Sequence, residues 1–253
     1  MSKEKSKDVA VVGAGNGLDI FNSQALANEI ADQLAENMEG VKASLPQVKI
    51  LHSACMFKMP DESKRETFQA LVIDTNRANA YWEKSFGDSG GNEPPDCMSH
   101  NGNVPAGNSE KRQSERCDIC PMNQFGSNVN GGDGKACKNM QRVHLLVRDS
   151  VNDINNLGMP TRMILPPSSL KTWNTFLADC GTKNIPYQMV WCEFSLNPVT
   201  QPVEHAEIEV KIIEPITNNP DELLSWFRWF RNDYLGKWKE VMREEVVGQQ
   251  DAM

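Results

Sequence analysis

The chain has 253 residues, a formal net charge of −8 and an isoelectric point near 5.1. Apolar residues make up 39% and mean hydropathy is −0.52, yet 6 Trp, 9 Phe and 12 Met supply core material, which excludes wholesale disorder. No apolar run approaches the ~20 residues of a membrane span, and so acidic a chain is not a duplex binder with a basic surface throughout.

Residues 1–18 read as a flexible leader, Lys- and Ser-rich and then Gly13-Ala14-Gly15-Asn16-Gly17. A dinucleotide-binding fingerprint needs a third glycine where Leu18 stands, so a lead-in to a helix is the better account. The short apolar stretch Val9–Val12 is too brief for a signal-peptide core, which implies a cytoplasmic protein. Asn22 or Ser23 caps a helix to about Met38, with Leu26, Ile30 and Leu34 at four-residue spacing.

Leu45–His52 and Ala54–Lys58 read as two short strands or a bent one, followed by a polar turn at Pro60–Lys64. Phe68–Asp74 is an apolar strand, and Tyr81, Trp82 and Phe86 form an aromatic cluster soon after it. From about 87 to 140 the chain becomes rich in Gly, Asn, Ser, Asp and Pro. Such a stretch cannot bury enough apolar surface to offset its conformational entropy, so another source of order is required. Strands are expected at Gln141–Val147, Thr161–Leu165, Tyr187–Leu196 and His205–Ile212, with a helix from Pro166 to Gly181. A last helix runs from Asn219 to about Val246, with Leu223, Phe227, Phe230, Tyr234 and Trp238 along one side. Six or seven strands with helices between and at the ends make an α+β chain. It divides into the leader, a core over 19–215 carrying the insert at about 87–140, and a C-terminal helix with a short tail over 216–253.

Four of the seven cysteines fall in the insert. Cys117 and Cys120 make a C-x₂-C knuckle, and Cys97 and Cys137 flank it. Four soft thiolates complete the tetrahedral shell of a structural Zn²⁺, whose binding energy would order a segment without a core. His100, at C-x₂-H spacing from Cys97, is an alternative ligand, and four unconnected thiols or a redox C-x-x-C pair are other readings. Cys55, Cys180 and Cys192 lie in apolar runs and read as core.

The insert is also where the acidic chain turns basic. Residues 97–148 carry seven Lys and Arg against four Asp and Glu, a charge of +3, while 204–253 carry −5. Arg112, Arg116, Lys135, Lys138 and Arg142 lie near the cysteines, with Tyr81, Trp82 and Phe125 close in sequence. Aromatic faces among cations suit single-stranded nucleic acid, whose bases stack while its phosphates are neutralised; a hinge or core role and a solvated face are the alternatives. The aromatics of the last helix read first as core packing, with contact to a protein partner or to a second copy as the alternative. A catalytic zinc keeps an open position beside a base, and neither an H-x-x-x-H motif nor a carboxylate cluster is present, so no enzyme is expected.

Three runs resemble a motif series of phage and prophage single-stranded DNA-binding proteins. They are Asp96-Cys97-Met98-Ser99-His100-Asn101-Gly102, Cys117-Asp118-Ile119-Cys120-Pro121-Met122-Asn123-Gln124-Phe125-Gly126-Ser127 and Gly134-Lys135-Ala136-Cys137-Lys138. Looser likenesses at Leu45-Pro46, Tyr81-Trp82, Leu165–Lys171 and Ile185-Pro186-Tyr187 extend it over roughly 45–215. Where this chain has Asn101 such proteins commonly have Asp, which argues against a carboxylate acting there. The resemblance implies an oligonucleotide-binding-like β-barrel with a zinc-binding loop insert and flanking helices, serving phage-type DNA replication or recombination in a bacterial host cytoplasm. The alternative is a zinc-dependent interaction module that recruits replication or transcription proteins through the last helix.

Overall fold

Alternating burial along the strands builds one sheet around a main apolar cluster. The computed structural model describes residues 45–84, 93–128, 131–148, 160–201 and 204–216, with Leu224, Phe227 and Arg228. The expected leader, the helix over 22–38 and all but those three residues of the last helix lie outside the described residues. The elements are β1 (Gln47–Leu51), β2 (Met56–Lys58), β3 (Lys64–Arg65), β4 (Phe68–Tyr81), β5 (Cys97–Ser99), β6 (Lys138–Val147), β7 (Thr161–Leu165), α1 (Leu170–Thr182), β8 (Val190–Val199) and β9 (His205–Pro215).

The strands run β3-β2-β1-β7-β6-β4-β8-β9, with β5 paired to β4 beside this path. Every pairing is antiparallel except β1 with β7. The mixed sheet curls into a half-barrel against which, among the described residues, α1 packs, a barrel-like α+β fold. Nine described strands replace the six or seven expected, because β3 and β5 are only two and three residues long and carry no alternation to read.

The core lies in the concave side. Phe68 stacks on Phe194 with ring centroids 5.0 Å apart and receives the edge of Phe57 at 4.8 Å. The α1 residues Trp173, Phe176 and Cys180 follow helical spacing and join this cluster with Val143, Leu145 and Met163. Cys180 and Cys192 are buried there as expected. Two side chains replace strand pairing along the outer edge of β9: the Ala206 amide donates to His52 Nδ1 at 3.1 Å, and the Ile208 amide to Ser169 Oγ at 3.2 Å.

β4 is twice the length expected. It pairs with β6 from Ala70 to Ala80, and an irregularity between Val72 and Asp74 shifts the register. Val72 and Leu145 face the core; past the shift so do Thr75 and Val143, and the same face continues through Arg77, Asn79 and Tyr81. Its second edge is divided between β8 over Phe68–Leu71 and β5 over Asn79–Tyr81. The opposite face of the sheet buries charged and polar side chains beside apolar ones: Arg142 is 1% exposed, His144 0% and Arg162 5%. Burial and the two guanidinium charges push the His144 imidazole down to about 3, so it is neutral.

His52 is also held below its ordinary value, by burial and then by His205. Both imidazoles gain protons more readily in the unfolded chain. Stability is therefore complete above about pH 6.5 and is lost as pH falls from there towards about 3. The urea unfolding midpoint should fall between pH 7.5 and 5.5, above the range of most carboxylates; a flat midpoint would contradict this account.

Candidate metal centre and nucleic-acid interface

The segment joining β4 to β6 leaves the sheet at Trp82 and returns at Cys137. Its neck is tied by charge and backbone: Lys111 pairs with Glu83 and with Asp96, whose Oδ2 accepts the Glu83 amide at 2.8 Å. Lys84 reaches Glu93 at 3.2 Å, and the Trp82 indole N–H donates to the Glu93 carbonyl at 3.0 Å. β5 then docks the segment on β4, with Tyr81 opposite Cys97 and Asn79 opposite Ser99.

Beyond the neck the order is that of loops. The Asn101 side-chain oxygen accepts the Asn103 amide at 2.8 Å and the Val104 amide at 3.1 Å. This role needs an acceptor rather than a charge, and either Asn or Asp supplies one. The Asn103 carbonyl accepts the Cys117 amide at 2.8 Å, and the Met122 carbonyl accepts the Cys137 amide at 2.7 Å. The Asn123 and Gln124 side chains donate to the carbonyls of Cys117 at 2.7 Å and Asp118 at 2.9 Å, bracing the knuckle.

Cys97, Cys117, Cys120 and Cys137 all line one cavity of about 10 Å³, room for a single water-sized sphere. Three of them are under 9% exposed, in a segment whose other buried apolar side chains are few. Burial raises the Cys117 thiol, while hydrogen bonds from Ser99 and Asn79 favour its charged form. Burial and then the three neighbouring sulfurs push Cys137 up to about 12. Four soft sulfur donors around one cavity are the donor chemistry that suits Zn²⁺. Among the described residues, however, no three His, Cys, Asp or Glu side chains stand in metal-ligand geometry. His100 does not line this cavity.

The expected nucleic-acid contacts separate. Phe125 is 80% exposed, and the Lys135 ammonium lies 4.9 Å from its ring centroid. Arg112 is exposed beside the Ala106 carbonyl; Arg116 is exposed but paired with Asp118. Lys138, half-buried at the start of β6, has its pKa lowered by burial. Tyr81 is 7% exposed and lines the sulfur cavity, so it offers no open stacking face. Trp82 is half-buried against Ala80, Met140 and Ile164. Arg142 lies on the other face of the sheet, 1% exposed, with Nη1 donating to Asn76 Oδ1 at 3.3 Å. Its place opposite Asn76 on a strand, rather than on a loop, takes it out of the surface set. Phe227, the described aromatic of the last helix, is buried.

Sequence reasoning overlooked Asn79 and Arg77, which no motif marks. Asn79 Oδ1 accepts from Asn139 at 2.8 Å, its amide donates to the Gly102 carbonyl at 3.4 Å, and it bonds the Cys117 sulfur. No family model, no curated protein and no solved structure matches the chain.

Asn79 is 5% exposed, and Asn79→Ala strands the Asn139 amide and frees the loop at Gly102. The variant should lose about 1–3 kcal/mol. Hydrogen exchange should rise first at residues 97–137, and uniform acceleration through β8 and β9 would count against Asn79 as the tie.

Proposed function

We propose that the chain is a sequence-tolerant single-stranded DNA-binding protein, non-enzymatic, on an oligonucleotide-binding-like barrel with a structural zinc. Connectivity supports the barrel. β4, β6 and β7 form an antiparallel meander, α1 follows, and β8 returns to pair with β4 before β9 adds to it. In oligonucleotide-binding folds the loop between the first two strands grips the ligand. Here that loop is the cysteine segment.

The observation that carries the reading is Phe125: an aromatic ring 80% exposed on this loop, with a lysine over it. A ring held in water stabilises nothing internal and presents a π-face for a base, while Lys135 stands ready for a phosphate. Arg112 and Lys138 extend the basic surface. Service in phage-type replication or recombination, and a bacterial cytoplasmic setting, rest on the family resemblance.

Oligothymidine at low salt should quench tryptophan fluorescence, with affinity falling steeply as salt rises. Phe125→Ala should weaken binding by ~1–3 kcal/mol, about 5- to 150-fold. Absence of any binding at low salt, or capture of a polypeptide instead, would overturn the assignment.

The zinc is tested separately. Cys97, Cys117, Cys120 and Cys137 would hold it, and it would supply the folding energy of the loop. Titration with Co²⁺ should saturate at one equivalent with thiolate charge-transfer absorption, releasing protons as it binds. Cys120→Ser should weaken that absorption, and a spectrum free of charge transfer would remove the metal.

A further inference from the structure

The face of β4 that leads from the core to the sulfur cavity carries a polar strip. At one end the Gln141 amide donates to Thr75 Oγ1 at 2.7 Å; at the other Asn139 donates to Asn79 at 2.8 Å. Between them stands Arg77, opposite Gln141 and exposed. It lies in the stretch 72–78, whose second edge neither β8 nor β5 occupies, at the fork where these two strands part.

Two features hold Arg77 there. The register shift at Val72/Asp74 turns it onto the core-side face; unshifted alternation would have placed Asn76 and Ala78 there. Gly102, at φ +73°, lies against its stem, where an added Cβ would stand 2.9 Å from the Arg77 Cβ. The loop thus closes on the aliphatic part and leaves the guanidinium to solvent. Lys111, Arg116 and Arg148 elsewhere in the sheet and loop are each paired with a carboxylate, whereas among the described residues Arg77 has no carboxylate partner. An exposed guanidinium on the same face as neutral amides, where two strands part, suits an anion flanked by hydrogen-bonding groups.

We infer that Arg77 is a phosphate-binding residue for single-stranded DNA, which crosses the β5/β8 fork on its way to Phe125 and Lys135. This rests on the DNA-binding reading above. A contact of this kind adds about 0.7 to the salt dependence of single-strand binding.

The test measures oligothymidine affinity by fluorescence across a salt series for the full chain, R77A, R77K and, as an exposed control on α1, K171A, each checked for unchanged thermal unfolding. R77A should bind about tenfold more weakly at low salt, with a log–log salt slope shallower by about 0.7. R77K should keep the slope because it keeps the charge, and K171A should match the parent. If the parent binds and R77A equals it in affinity and slope, Arg77 is not a contact and the DNA-binding reading stands. If R77A folds poorly, R77Q decides, because it keeps much of the stem and drops the charge: affinity and slope equal to the parent's overturn the charge contact. If the parent binds no oligonucleotide, both readings fall together.

Discussion

A strand has two edges, and β4 serves three partners with them. β6 takes one edge for ten paired residues, and β8 and β5 divide the other. Fourteen residues are needed because the two ends do different work: Phe68 to Val72 seat the core, and Asn79 to Tyr81 seat the loop that bears the sulfurs. The curl of the sheet and the placement of the cysteine cavity both follow from this division. One register shift keeps a single face pointing inward along the whole length.

Much of the framework was legible because burial on one side leaves an alternating trace. β1, β2 and β7 follow the expected segments closely, and α1 carries Trp173, Phe176 and Cys180 at the spacing a helix requires. The far half of β4 was not legible. Thr75-Asn76-Arg77 carries no apolar alternation to extend the strand past Asp74, yet the backbone stays in register with β6, opposite Val143, Arg142 and Gln141. Position along the chain also misled for Arg142, five residues from Cys137 but on the sheet's other face. Side chains alternate faces at every residue, so proximity in sequence to a site says little once a strand has begun. Arg77 failed to register for the opposite reason, lying twenty residues from the nearest site cysteine while the loop at Gly102 folds back onto it.

The cysteine loop shows how order is obtained without an aliphatic core. Its buried side chains are sulfur and small residues, its turns are closed by Asn101, Asn123 and Gln124, and its neck is held by Lys111 and Trp82. Tyr81 belongs to this scheme as a wall of the sulfur cavity. Asn79 joins the loop to the sheet, since one side chain meets β6, Gly102 and the Cys117 sulfur. Whatever occupies the cavity is thereby coupled to the strip on which Arg77 stands.

His52 and Ser169 have a bearing on edge pairing. The last strand of an open sheet offers bare amides that another chain can pair with, the usual start of edge-to-edge aggregation. On β9 the amides of Ala206 and Ile208 are already taken by an imidazole and a hydroxyl from elsewhere in the fold. Glu207, Glu209 and Lys211 place charges along the same strand. Along the described edge of β9, side chains thus occupy the places where a foreign backbone would bind.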